Sequence, residues 1–370
     1  MPDRVSTLEL FFDLVFVLIV GQLTAVLAHD PDLEHLARVT VVLALVWWMY
    51  GGYAWLTNSV ATEGTARRLA LLAGMAAFFL VALVVPTAFD DQGYPFAVAY
   101  LVVVVIHIAL YSRATGITEL SALWRLGRWN LLAVLGLGIG AVGGGIQLAV
   151  WAGVAVVQWG VIGYRTGDPE SFAVRPAHFV ERHGLVVIVA IGESVVVLGL
   201  GLADAELAGR DTLFGLLGLA LCACLWWTYF GGDEDVTAEA ALEAAPVATR
   251  FRMALEGFGH AHLGLLLAVV AVAAGLEAMA HAPEDGLELA NALLLGGGAA
   301  GYLLADAGFR ARLGLGSSWL RVAATVPLAA SAFVGVAVTG STQVGVMVGV
   351  FVIVFMLEAR SGRGRRAPAP

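Results

Sequence analysis

The chain has 370 residues, of which 60% are hydrophobic and only 13% charged; 20 basic side chains face 29 acidic ones, a formal net charge of −9. Mean hydropathy is +0.87. Soluble domains run near a quarter charged, so this composition excludes an ordinary soluble enzyme or a nucleic-acid-binding protein and points to a polytopic membrane protein.

Apolar segments long enough to cross a bilayer, about 20 residues each, recur along the sequence. They fall at 8–28, 39–56, 69–89, 96–111, 129–143 and 146–164, then at 184–203, 213–230, 253–279, 287–309, 319–338 and 344–357. The expected fold is therefore all-α, with about twelve transmembrane helices. The first apolar segment starts by Leu8 without a basic leader or a small-residue cleavage site, so no removable signal is expected. Cys222 and Cys224 lie two apart in one span and point to different helix faces, which argues against a disulfide or a metal pair.

The arginines test this count, because basic residues collect in cytoplasmic connections. Arg4, Arg67, Arg68, Arg113, Arg125, Arg128, Arg165, Arg175, Arg182, Arg250, Arg252, Arg310, Arg312, Arg321, Arg360, Arg363, Arg365 and Arg366 all fall on one side; only Arg38 and Arg210 fall on the other. An error in the count would scramble the alternation from that point onward. Both termini are expected in the cytoplasm.

The chain also repeats itself. Residues 14–22 read LVFVLIVGQ and residues 185–193 read LVVIVAIGE; Trp47-Trp48-Met49-Tyr50 is matched by Trp226-Trp227-Thr228-Tyr229. Arg113 and Arg310, and Arg165 and Arg360, fall at corresponding ends of spans. Six spans per half is an even number, so the halves share one orientation. The reading is a first six-helix repeat over 1–165, a cytoplasmic or interfacial linker over 166–183, a second repeat over 184–358 and a disordered basic tail over 359–370, attracted to anionic lipid. A short interfacial helix is expected after Pro169, and an acidic surface helix over 233–245. Parallel repeats occur in transporters, where the substrate site lies between the halves near the midplane; duplication also occurs in membrane proteins that transport nothing.

Charge within the bilayer costs about 3 kcal/mol per group, so each ionisable residue needs a reason. Glu193 lies near mid-depth of the seventh span. It can bind and release a proton or a cation as the halves move; the plainer reading is a structural glutamate hydrogen-bonded to Ser194 or an indole. Gln22 is its uncharged counterpart in the first half. Glu9 and Asp13 are one helical turn apart and share a face. With His178, Glu181 and Arg182 they form either a cytoplasmic gate or a structural ion-pair set near the membrane edge. Arg252, Glu256 and His260 step by four along one stripe. His262 can relay protons, or can hydrogen-bond a backbone carbonyl opened by nearby glycines. His107 and Asp306 complete the list of substrate- or proton-coupling candidates. The tryptophan pairs suit packing or interface anchoring better than ligand stacking.

Several of these motifs resemble the low-temperature-requirement A family of bacterial membrane proteins. The matching pieces are Glu9-Leu-Phe-Phe-Asp13-Leu-Val-Phe, His178-Phe-Val-Glu181-Arg182-His-Gly-Leu, Gly192-Glu193-Ser194, Trp226-Trp227 with Tyr229-Phe230, and His262-Leu263 followed by Gly275-Leu276-Glu277. Two positions depart: Gly231 stands where members carry an acid after the Tyr-Phe pair, and residues 101–106 lack the arginine many place in the fourth span. The resemblance implies a multi-pass protein of the prokaryotic inner membrane and leaves the reaction open.

No P-loop, dinucleotide fingerprint, nucleophile elbow or cysteine-rich metal pattern occurs, so neither cofactor nor metal is expected and no catalytic residue is assigned. The favoured expectation is a secondary transporter of a small solute, coupled to protons through Glu193, with membrane lipid and a second copy of the chain as further partners. The alternatives are an intramembrane enzyme or lipid-handling protein using buried Glu and His, and a stress-adaptation factor without turnover.

Overall fold

The computed structural model describes residues 5–59, 64–115, 120–162, 174–202, 210–232, 234–280 and 286–365. These form helices α1 (Thr7–His29), α2 (Leu33–Ser59), α3 (Thr65–Val84), α4 (Gly93–Thr115), α5 (Leu120–Val142) and α6 (Gln147–Val157). They continue with α7 (Pro176–Gly201), α8 (Arg210–Phe230), α9 (Glu234–Ala244), α10 (Val247–Ala280), α11 (Leu289–Leu313), α12 (Trp319–Ala337) and α13 (Gly340–Arg365). Eleven described helices are long and apolar enough to span a membrane, and a shorter apolar helix at Gly127–Val142 stands at the fifth expected span. The protein is an all-α polytopic membrane protein.

Local chemistry explains where the helices that matter most begin and end. Ser6 caps α1 by accepting the Glu9 amide at 3.3 Å, while the Glu9 carboxylate accepts the Ser6 amide at 2.9 Å, a reciprocal capping box. Asp32 does the same for α2 by accepting the His35 amide at 2.8 Å; this contact and the His35 imidazole hold the Asp32 carboxyl below its ordinary range. α7 starts on Pro176, whose missing N–H is no loss in a first turn. Just before it, Arg175 reaches the C-terminal carbonyls of α2, donating to Asn58 and, at 3.1 Å, to Thr57. Gly314, at φ +69°, closes α11 in the left-handed conformation.

Three boundaries differ from the sequence reading. α7 begins eight residues before 184, so His178, Glu181, Arg182 and His183 belong to a helix and not to a linker. The acidic segment after 233 is helical, yet Glu234 is buried and ion-paired, so that helix is anchored rather than merely superficial. α13 runs on to Arg365 despite Gly362 and Gly364, with no proline in residues 359–365 to stop it; residues 366–370 lie outside the described set. The helix expected after Pro169 begins outside it as well.

The packing follows one scheme twice. α1 packs on α2 and α3, α2 on α4 and α6, α3 on α4, α4 on α5, and α5 on α6. In the second half α7 packs on α8 and α10, α8 on α11 and α13, α10 on α11, α11 on α12, and α12 on α13. Between the halves, α1 and α2 pack on α7 and α10. α1 and α7 run side by side in the same direction, since Val5, Glu9, Asp13 and Gly21 meet Glu181, Arg182, Arg182 and Glu193 in that order.

α10 is not a uniform α-helix. Its stretch Ala254–Ala261 is a π-helix, which leaves carbonyls free of the usual ladder. They are used: Gly257 accepts His262 Nδ1 at 2.9 Å, Leu255 accepts His260 Nδ1 at 3.1 Å, and Gly259 accepts the Trp47 indole from α2 at 2.9 Å.

Candidate functional site

The α1–α7 seam carries the first concentration of buried charge. Arg182 is 1% exposed, and its guanidinium donates to Glu9 Oε1 at 2.8 Å, Asp13 Oδ1 at 3.2 Å, the Tyr50 hydroxyl at 3.2 Å and Thr57 Oγ1 at 3.2 Å. Tyr50 donates in turn to Asp13 Oδ1 at 2.7 Å, and His178 Nε2 lies 3.2 Å from Glu9 Oε1. Three helices, α1, α2 and α7, are thus tied together where α1 and α7 begin and α2 ends. Buried charges persist only when paired and hydrogen-bonded, and here the fork of Arg182 meets two carboxylates and two hydroxyls. Two atoms in the set lack a partner, Asp13 Oδ2 and His178 Nδ1.

Sequence reasoning grouped Glu181 with Arg182, and the structure separates them. Neighbouring residues lie about 100° apart on a helix. Arg182 turns into the seam, while Glu181 stays exposed and accepts the Val5 amide at 3.0 Å. Tyr50 and Thr57 were missed as members of the network. The Tyr50 signal was present in the matched Trp-Trp-x-Tyr pairs; Thr57 offered none.

Further along the same seam, Glu193 faces Gly21. A Cβ on Gly21 would stand 2.5 Å from Glu193 Oε1, so the carboxylate occupies the space the glycine leaves. Arg182 and Glu193 are eleven residues apart, three helical turns, and so share the α1-facing side of α7. Glu193 is half-buried and has no hydrogen-bond or ion-pair partner among the described residues. Ser194 is fully buried with an unpartnered hydroxyl, as is Thr24 on α1, so the expected Glu193–Ser194 bond is absent. Gln22 is half-buried and lies one residue beyond the glycine that Glu193 touches.

His262 lies on α10, among side chains of α7, α8 and α11. Its Nδ1 donates to the Gly257 carbonyl, leaving Nε2 to accept the Tyr229 hydroxyl at 2.8 Å in the neutral ring. The His183 ring packs edge-on to it with centroids 5.5 Å apart, and His183 Nδ1 donates to the Phe179 carbonyl at 2.8 Å. Phe179, Phe258 and Phe309 wall in the two imidazoles. Arg182, Glu193 and His262 therefore have separate surroundings and do not converge on one reacting space. His183 was missed, although it directly follows Arg182.

A second buried cluster lies within the second half. Arg321 donates to Asp306 Oδ2 at 2.5 Å, Glu234 Oε1 at 3.0 Å, Glu358 Oε1 at 2.9 Å and the Thr228 carbonyl at 3.1 Å. Arg310 donates to Glu234 as well, and to Ser318 Oγ at 3.1 Å. Of this group the sequence singled out Asp306 alone; Arg321 served only as a marker of topology.

The remaining candidates are dispersed. His107 is buried on α4, against the Gly52 backbone and 5.3 Å from the Tyr53 ring. Glu256 pairs with Arg312 at 2.8 Å and with Arg252 at 3.7 Å, and His260 packs on Trp159 with centroids 5.1 Å apart. The tryptophan pairs diverge: Trp47 is 1% exposed, whereas Trp227 is 53% exposed.

Two cavities stand at opposite ends of the bundle. One, of about 740 Å³, lies at the C-terminal end of α1 and is lined by His29, Asp30, His35, Arg38, Asp90 and Glu277. The other, of about 620 Å³, lies at the arginine-rich end beside the Arg321 cluster, between Trp227 and Trp319.

Among proteins of known sequence, the chain is 27% identical over 293 residues to the uncharacterized protein RA0937 of Rhizobium meliloti (strain 1021), an alignment covering 75% of this chain and 70% of that one. The family model for the bacterial low temperature requirement A protein matches residues 4–357, which takes in the Arg182 cluster, Glu193, His262 and all of the Arg321 cluster but Glu358. The chain belongs to the bacterial low temperature requirement A family.

Proposed function

We propose that this membrane protein is a secondary transporter of a small solute, coupled to protons through Glu193 and working by movement of α7 against α1. The observation that carries the reading is the asymmetry of the α1–α7 seam. Its arginine-rich end is closed by the Arg182 network, while a cavity of about 740 Å³ lies at the far end of α1. Between the two, Glu193 has no hydrogen-bond partner among the described residues and abuts Gly21. A carboxylate that the fold leaves unpaired inside a helix seam is suited to binding and releasing a proton.

The twofold packing scheme supports a duplicated origin with two parallel six-helix halves. The arginine distribution supports cytoplasmic termini in an inner-membrane orientation. In that orientation the Arg182 network is the cytoplasmic gate, and the cavity lined by Asp30, Arg38, Asp90 and Glu277 opens to the outside.

The test is flux in proteoliposomes loaded with a pH-sensitive dye and challenged with a panel of amines, amino acids, sugars and organic anions. At least one solute should acidify the interior, and Glu193→Gln should abolish that signal while leaving the protein folded. Acidification undiminished in Glu193→Gln rules out this site; chemical conversion of a solute without its entry rules out transport.

A further inference from the structure

The Arg321 cluster is not balanced in charge. Among the described residues it gathers Glu234, Asp306 and Glu358 around Arg310 and Arg321, three carboxylates against two guanidiniums. Every nitrogen of Arg321 is committed: Nη1 to Asp306 Oδ2 and the Thr228 carbonyl, Nη2 to Glu234 Oε1, and Nε to Glu358 Oε1. Arg310 is equally occupied, by Glu234 through Nη1, Ser318 through Nε and the Leu315 carbonyl through Nη2 at 2.9 Å.

Three oxygens are left over. Asp306 Oδ1, Glu234 Oε2 and the Tyr302 hydroxyl are buried and have no partner, on residues that are 0%, 6% and 0% exposed. Tyr302 precedes Asp306 by four residues on α11 and shares its face. From α8, Tyr229 brings no donor, because its hydroxyl hydrogen goes to His262. From α9 comes Glu234, from α12 Arg321 and from α13 Glu358; α10 brings His262, whose Nε2 is taken by Tyr229, and α11 itself Arg310, so among the described residues Arg321 is the one ion-pair partner of Asp306.

Glu358 is partly exposed, but Asp306 and Glu234 are buried, and orphaned carboxylate oxygens there are costly unless a cation or a proton joins them. In the Arg182 cluster, where Asp13 Oδ2 is orphaned too, His178 Nε2 stands 3.2 Å from Glu9 Oε1 beside the guanidinium. Among the described residues, the Arg321 cluster has no histidine as an ion-pair partner. A bare metal ion fits poorly, since three free oxygens fall well short of the roughly six ligands that hard cations require, and two guanidiniums stand beside them.

We propose that the Arg321 cluster holds one proton, shared between Asp306 and Glu234, giving the second half a proton-binding site of its own apart from Glu193. The proton replaces the missing cation and turns one orphaned carboxylate oxygen into a donor. The cavity of about 620 Å³ lined by Glu234, Arg310, Arg321 and Glu358 gives this proton a path to water.

Infrared spectroscopy of the purified full-length protein in lipid nanodiscs tests this without reference to transport. At neutral pH the wild type should show the carbonyl stretch of a protonated carboxyl, displaced in heavy water. The band should vanish in Asp306→Asn and persist in Glu193→Gln. Should Asp306→Asn fail to fold, Glu234→Gln is read the same way, with loss of the band expected. No such band in the wild type overturns the proposal, and so does a band lost in Glu193→Gln but kept in Asp306→Asn. A band that appears only when sodium is replaced by choline assigns the site to a metal cation and overturns it equally. Failure of the flux experiment leaves this result untouched, because the band is read at rest.

Discussion

The two buried arginines, Arg182 and Arg321, do different work with similar chemistry. Arg182 joins α1 and α2, from the first half of the chain, to α7, in a set that also holds His178. Arg321 joins α12 to α9, α11 and α13, all in the second half, beside a cavity and with a carboxylate in excess. Under the proposed mechanism, a cluster that ties α7 to α1 and α2 acts as a latch. A cluster confined to the second half of the chain, beside a cavity and with orphaned oxygens, can take up and release a proton without parting helices.

The largest effect should come from breaking the latch on one side only. Arg182→Met strands Glu9 and Asp13 as buried unpaired charges and should cost about 3–5 kcal/mol, read by unfolding in mixed micelles. Adding Glu9→Gln and Asp13→Asn should restore most of that loss, because the stranded charges go with the arginine. Next in size is a direct contrast between the clusters. Asp13→Asn weakens charge-assisted bonds from Arg182 and Tyr50 and should cost about 1.5–3 kcal/mol. Asp306→Asn also loses its bond to Arg321 but relieves the excess charge, so its cost should be clearly smaller; equal costs would erase the distinction drawn here.

Tyr229→Phe removes a single neutral hydrogen bond to His262 and should cost about 1 kcal/mol, measured in the same assay. The smallest effect on stability should be that of Gly21→Ala. Its added Cβ meets the flexible end of Glu193, which can swing aside, so unfolding should change by less than about 1 kcal/mol. Flux through proteoliposomes should nevertheless fall several-fold, since the carboxylate loses its place in the seam.

Much of the fold was legible in the sequence because a bilayer permits few solutions. A membrane-spanning helix must be long and apolar, so span positions could be read from one-dimensional pattern. Start points of helices were less legible. α7 begins at Pro176 while its hydrophobicity begins near Gly184, because its first two turns are polar on the side that forms the ion network.

The seam itself was half visible. Glu9, Asp13 and Arg182 stood out as charges in or near apolar spans, but which of Glu181 and Arg182 turned inward depended on a helical phase that the sequence left free. The π-helix in α10 was hidden as well, because it arises from how Trp47, His260 and His262 use its carbonyls. Arg321 and Glu234 were passed over since each lies at a helix end, where a charged residue needs no special explanation until its burial is known.

The most direct test of the account is the distance between α1 and α7 at the arginine-rich end. Spin labels at Val5→Cys and Glu181→Cys, with Cys222→Ala and Cys224→Ala to remove the native thiols, report that distance in nanodiscs by pulsed electron resonance. A latch that opens during transport predicts two distance populations whose ratio shifts with pH, and a shift that disappears in Glu193→Gln. A single narrow distance at every pH would contradict the account and make the Arg182 network a permanent structural clamp.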